Sequence, residues 1–212
     1  MKTEVLINVI AEDAAVRGPS LPVRLAIALA IGGAVSAALF AAVLGLRPDI
    51  GTAVQTWRFD FKILALLAAF AAAIWAALEL VRPDASHGKA VAMMSLAPAL
   101  LAAGVGIELL TVAPDAWLPR AIGSNSRICL VAIPVMAVAP LACLLAVSRA
   151  GAPRSPAFAG AAAGLLAGSL AALLYATHCI DDSPLFLAAW YPPAIASCAL
   201  LGLLVGRWNL RW

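Results

Sequence analysis

Charge is what this chain has least of. Of its 212 residues 12% are charged and 64% hydrophobic, with a mean hydropathy of +1.00, whereas a soluble domain carries roughly a quarter charged side chains. So few charges cannot clothe a core of this size in water, which excludes a soluble globular protein. A formal net charge of +3 is too small an excess to argue for direct nucleic acid binding, and none is expected. The apolar segments lack the alternation of barrel strands. Little chain lies between them, so no soluble catalytic domain fits. The chain reads as a membrane protein that is not an enzyme, with no cofactor.

What the chain does contain is six apolar runs, at residues 25–46, 63–80, 90–113, 128–147, 157–178 and 185–205. About 20 residues of helix span a bilayer core of roughly 30 Å, and open sheet edges cannot face lipid. The expected fold is therefore all-α, a polytopic bundle of six transmembrane helices. Acidic Glu4, Glu12 and Asp13 precede the first run, which argues for a retained span rather than a cleaved signal. With six spans both termini share one side. Lys2, Arg17, Arg24, Arg82, Lys89, Arg149, Arg154, Arg207 and Arg211 fall there, against Arg47, Arg58, Lys62, Arg120 and Arg127 on the other. That bias places both termini in the cytoplasm. The domain plan is a cytoplasmic tail over 1–24, a transmembrane domain over 25–206 and a stub over 207–212. In the tail, Val5, Leu6, Val9 and Ile10 fall on one helical face. Such a stripe either docks into a partner or rests on the bundle or the membrane.

Inside the runs, Gly160, Gly164 and Gly168 form a small-residue ladder suited to close helix packing. Pro98, Pro134, Pro140, Pro192 and Pro193 are expected to interrupt three helices. With Pro98 and Pro192 near the first third of their spans, they keep a small transporter or ion-conducting protein as the alternative function. Glu79 sits beside Arg82 at a span end, where a snorkelled ion pair suffices. Glu108 approaches the outer end of the third span and is either a snorkelling residue or a functional one.

The four cysteines differ in depth. Cys129 opens the fourth span and Cys179 closes the fifth, so both are expected to face the oxidising side; Cys143 and Cys198 lie deeper and read as small buried hydrophobes. Around Cys179 the segment His178-Cys179-Ile180-Asp181-Asp182-Ser183-Pro184 gathers an imidazole, a thiol and two carboxylates without a local cation. Thiolate and imidazole suit soft and borderline metals, while neighbouring anions raise a thiol pKa. Cys129, Cys179, His178, Asp181, Asp182 and Glu108 are thus candidate metal or redox sensor residues, with Cys129 and Cys179 as transient metal ligands. A structural helix end is the plain alternative. Adjacent His178 and Cys179 do not make a nucleophile and base pair.

Three features together resemble the NrsF-type integral-membrane anti-sigma factors. They are Asn125-Ser126-Arg127-Ile128-Cys129-Leu130 ahead of a proline-containing helix, the glycine ladder, and the Cys179 segment with Trp190-Tyr191. The opening Met1-Lys2-Thr3-Glu4 is similar too. The resemblance implies a six-helix bacterial inner-membrane protein that binds an extracytoplasmic-function sigma factor and releases it under stress. Heavy-metal ions and oxidants are the implied signals, and the bilayer is its other partner. It also carries the family's two functional cysteines onto Cys129 and Cys179. Ile180 stands where the family motif often has proline. The tail residues Val5, Leu6, Val9 and Ile10 are then the candidate sigma-binding surface.

Overall fold

The computed structural model describes residues 19–82, 87–151 and 153–210. Its elements are α1 (Leu21–Val43), α2 (Ile50–Ala53), α3 (Trp57–Leu80), α4 (His87–Met94), α5 (Leu96–Thr111), a 3-10 turn (Pro114–Ala116), α6 (Trp117–Ile122), α7 (Ser126–Ser148), α8 (Pro156–Ala176) and α9 (Pro184–Asn209). No strand occurs among the described residues, and six segments are long and apolar enough to cross a membrane. The tail stripe lies outside the described residues.

Local chemistry sets the helix ends. Gly45, at φ +70°, sends its N–H back to the Phe40 carbonyl (2.8 Å) and closes α1, a left-handed ending that glycine adopts without strain. Pro156 and Pro184 open α8 and α9, where a missing N–H costs nothing. The first helix begins at Leu21, inside the stretch expected to be tail, and the last runs to Asn209, inside the expected stub.

The prolines behave differently from expectation. Only the third span breaks, between α4 and α5 at Ser95. The Pro98 ring has no N–H to offer the Met94 carbonyl and crowds it, which ends α4. Pro134 and Pro140 stay inside a continuous α7, and Pro192 and Pro193 inside a continuous α9. Adjacent helices compensate for such breaks within a packed bundle.

At the centre stands α8, flanked by α9, α7 and α3. Gly160 and Gly164 face Gly202 and Gly206, so closely that a Cβ on Gly164 would lie 2.8 Å from the Cα of Ala199. The glycine ladder is a packing device, as expected. On the far side α1 packs chiefly on α7, where the Ser36 hydroxyl donates to the Met136 carbonyl at 2.5 Å. The broken third span is peripheral, packed mainly on α3 and α9.

Candidate functional site

One end of the bundle collects the chemistry. It comprises the 44–56 loop, the start of α3, the end of α5, the α6–α7 turn and the connection from α8 to α9. Thr177 through Ser183 form that connection, and it is tied to every one of the other elements except α2.

Thr177 offers its carbonyl to the Arg47 N–H at 3.1 Å. The ring Nδ1 of His178 pairs with the Gly45 carbonyl at 3.0 Å. The Cys179 carbonyl accepts from Lys62 Nζ (2.9 Å) and Arg47 Nη1 (3.2 Å). Asp181 reaches the α6–α7 turn, where its carboxylate accepts from the backbone N–H groups of Ser124 (3.1 Å) and Asn125 (2.9 Å) and from the Asn125 side chain (3.1 Å). A carboxylate at the start of α7 also complements the helix dipole. Gly123, at φ +57°, allows this approach, since a Cβ there would stand 2.8 Å from the Asp181 carboxyl carbon.

Asp182 is clasped by two cations. Arg47 Nη1 donates to both its oxygens at 2.9 and 2.7 Å, and Lys62 Nζ pairs with one of them. Arg47 also holds Asp49 through two parallel bonds of 2.8 Å, the fork geometry that makes guanidinium and carboxylate a strong pair. This keeps the Arg47 guanidinium well above its ordinary pKa and draws Asp49 from 3.8 down to about 2. Both cations lie by the face of Phe59, at 5.8 and 5.3 Å from its centroid. Lys62 is wholly buried.

Ser183 contributes the last tie, a hydroxyl donated to Glu108 at 3.3 Å. Glu108 does not snorkel; it is fully buried, paired with Arg58 (3.0 Å) and Arg120 (2.8 Å), whose side chains are about a third exposed.

Beneath the connection lie the thiols. Cys129, in the first turn of α7, and Cys179 are both free and both 0% exposed. Their position at the ends of two helices does not expose them to water: both belong to the buried core cluster. Tyr175 and Tyr191 cover them from within, ring centroids 6.1 Å apart. The Tyr191 hydroxyl is buried without a hydrogen bond among the described residues. Burial pushes the Cys179 thiol up, more than the nearby Lys62 ammonium pulls it down, with Asp181 a lesser contributor. The anions expected to dominate are engaged elsewhere, Asp181 by backbone N–H groups and Asp182 by cations. Among the described residues no group of three or more His, Cys, Asp or Glu is arranged to hold a metal ion.

Of the deeper cysteines, Cys198 is buried against the α8 glycines, its thiol donating to the Ala194 carbonyl at 3.3 Å, and Cys143 is half-buried. Sequence reasoning treats Arg47, Arg58, Lys62 and Arg120 only as markers of membrane side. The missed signal is Lys62, a cation one and a half turns inside α3 and directly ahead of the apolar run at 63–80. Pro98 and Pro192 both line one apolar crevice of about 250 Å³ between α3, α4, α5, α8 and α9, but no charged side chain lines it.

Comparison with known proteins supplies a family for the chain. The family model described as negative regulator of sigma F matches residues 10–212. The probable anti-sigma-F factor NrsF of Azospira oryzae is 33% identical over the full length of both chains. The anti-sigma-F factor NrsF of Caulobacter vibrioides is 35% identical, again over the whole of both chains. No solved structure matches. A chain with six helices long and apolar enough to cross a membrane and with this full-length kinship belongs to the NrsF family of negative regulators of sigma F.

Proposed function

We propose that this chain is an anti-sigma factor of a bacterial inner membrane, with both termini in the cytoplasm, that holds an extracytoplasmic-function sigma factor and releases it when metal ions or oxidants modify Cys129 and Cys179. It acts by sequestration and not by catalysis. The observation that carries the reading is the pair of free thiols sealed under a connection whose successive residues fasten the ends of α1, α3, α5 and α7. Altering a thiol there forces the connection to move, and every element tied to it must respond together. A bundle with two discrete arrangements can pass such a change to its opposite end. A full switch from held to free needs a differential affinity of about 5.5 kcal/mol.

The sigma-binding surface is assigned to the tail stripe of Val5, Leu6, Val9 and Ile10. Short loops rich in turn-forming residues offer no apolar anchor on that side. Burying one such side chain in a groove contributes about 1.5–3 kcal/mol. His178, Asp181, Asp182 and Glu108 then act as the frame around the thiols rather than as ligands.

The test is retention of a sigma factor by the detergent-solubilised full chain. The parent should retain it and release it on adding a soft metal salt or an oxidant. The Cys129→Ser, Cys179→Ser double variant should retain it under both treatments, and the Leu6→Asp, Val9→Asp variant should retain none. Normal release from the double serine variant overturns the sensing role. Retention by the aspartate variant moves the contact surface elsewhere.

A further inference from the structure

Lys62 is the most unusual residue of the bundle end. A lysine six residues into a transmembrane helix ordinarily extends its stem toward the headgroup layer and leaves the ammonium in water. Here the side chain is 0% exposed. Its ammonium is turned onto the Cys179 carbonyl at 2.9 Å, onto Asp182, and beside the Phe59 ring. Arg47 makes the same pair of contacts from the other flank, at 3.2 Å to the Cys179 carbonyl and 2.7 Å to Asp182. Two cations from two different elements therefore grip one carbonyl and one carboxylate three residues apart. Charge-assisted bonds of this kind are worth roughly twice a neutral one, and burying an ammonium is costly unless it is fully partnered. The cost is spent on the segment that covers the thiols.

We propose that Lys62 is a positioning residue that, together with Arg47, clamps the Cys179 segment through Asp182 and keeps the Cys129 and Cys179 thiols shut away from water until the clamp opens. Access to the thiols is then governed by a local opening of the connection. Ile180, exposed at the tip between the clamped residues, marks where the segment lifts. The clamp divides the site into two functions: Cys129 and Cys179 carry the chemistry, and Lys62 sets when that chemistry can begin. Its biological meaning rests on the sensing role proposed above, but the clamp itself does not.

The experiment is alkylation of the full-length protein in lipid nanodiscs by a bulky charged maleimide, with each of the four cysteines followed by mass spectrometry. Both faces of a nanodisc are open to reagent, so membrane orientation does not enter. No sigma factor or stress is present, so the clamp can fail while sensing stands, and sensing can fail while the clamp stands. Lys62→Met and Asp182→Asn should each speed alkylation of Cys179 by at least about tenfold, the shift in a local opening equilibrium expected from losing a charge-assisted bond. Lys62→Arg, which keeps a cation in place, should stay near the parent rate. Cys198, packed in the α8–α9 seam, should remain protected throughout and reports on the bundle itself. Parent-like rates at Cys179 in Asp182→Asn and Lys62→Met overturn the proposal. So does simultaneous exposure of Cys179 and Cys198 in Asp182→Asn, because that shows a residue needed for the whole bundle and not for the clamp.

Discussion

Glu108 shows how a side chain's surroundings replace its isolated character. In the chain it is one carboxylate in an apolar run; in the bundle it is fully buried between Arg58 and Arg120, with Ser183 donating to it. Replacing it by Gln keeps the volume and removes the negative charge that faces both guanidiniums. Because those are partly exposed, the loss falls below that of a fully buried broken pair, at about 1–3 kcal/mol, read as a lower Tm of the Glu108→Gln variant in detergent. An unchanged Tm would mean that water supports the arginines as well as the carboxylate does. Asp49 makes the complementary case. Arg47 holds its carboxyl at about 2 rather than 3.8, so its contribution is fully present above the higher value and fades as pH falls through the lower one. The Tm difference between parent and Asp49→Asn should therefore close between about pH 5 and about pH 2. Cys129 and Cys179 could be singled out from their neighbours in the chain, because the local motif carries them. Their cationic wardens could not, since Arg47 and Lys62 stand 132 and 117 positions from Cys179.

At the scale of elements, the seam between α8 and α9 relies on the absence of side chains. A Cβ at Gly202 would meet the backbone of Gly164 at 3.0 Å, whereas one at Gly106 meets nothing within 4 Å. Gly202→Ala should force the helices apart and cost about 1–3 kcal/mol, while Gly106→Ala should leave stability unchanged or raise it by up to about 1 kcal/mol. Unfolding of the two variants in mixed detergent micelles distinguishes them directly. The spans themselves were legible from hydropathy, because six runs of sufficient length leave helices as the only economical use of the chain in lipid. Their ends were less so: α1 starts at Leu21 and α9 continues to Asn209 because a helix stops where its hydrogen bonding stops, not where apolarity does. Which prolines break a helix was not legible either. Pro134, Pro140, Pro192 and Pro193 sit in helices closely held by neighbours, and Pro98 lies in the span with the least support.

For the whole molecule the distribution of cations predicts a direction across the membrane. Ile180 is exposed beside the buried thiols and Trp208 is exposed near the opposite end, so single cysteines at these two points can serve as markers. An impermeant thiol reagent applied to intact cells should label Ile180→Cys and spare Trp208→Cys until the membrane is opened; the reverse pattern would invert the bundle and separate the tail from any cytoplasmic partner.

The pairing of α1 with α7 sets a timetable for biosynthesis. The Ser36 hydroxyl finds its acceptor on Met136, 100 positions further along the chain. At translation rates of roughly 5–20 residues per second, the first helix must wait about 5–20 s in the bilayer before its partner leaves the ribosome. During that interval its serine has no distant carbonyl to meet, and its whole circumference faces lipid. Apart from Ser36 and Arg24, α1 is made of apolar residues and glycine, so the helix spends that wait in lipid with no charge in its middle to be partnered.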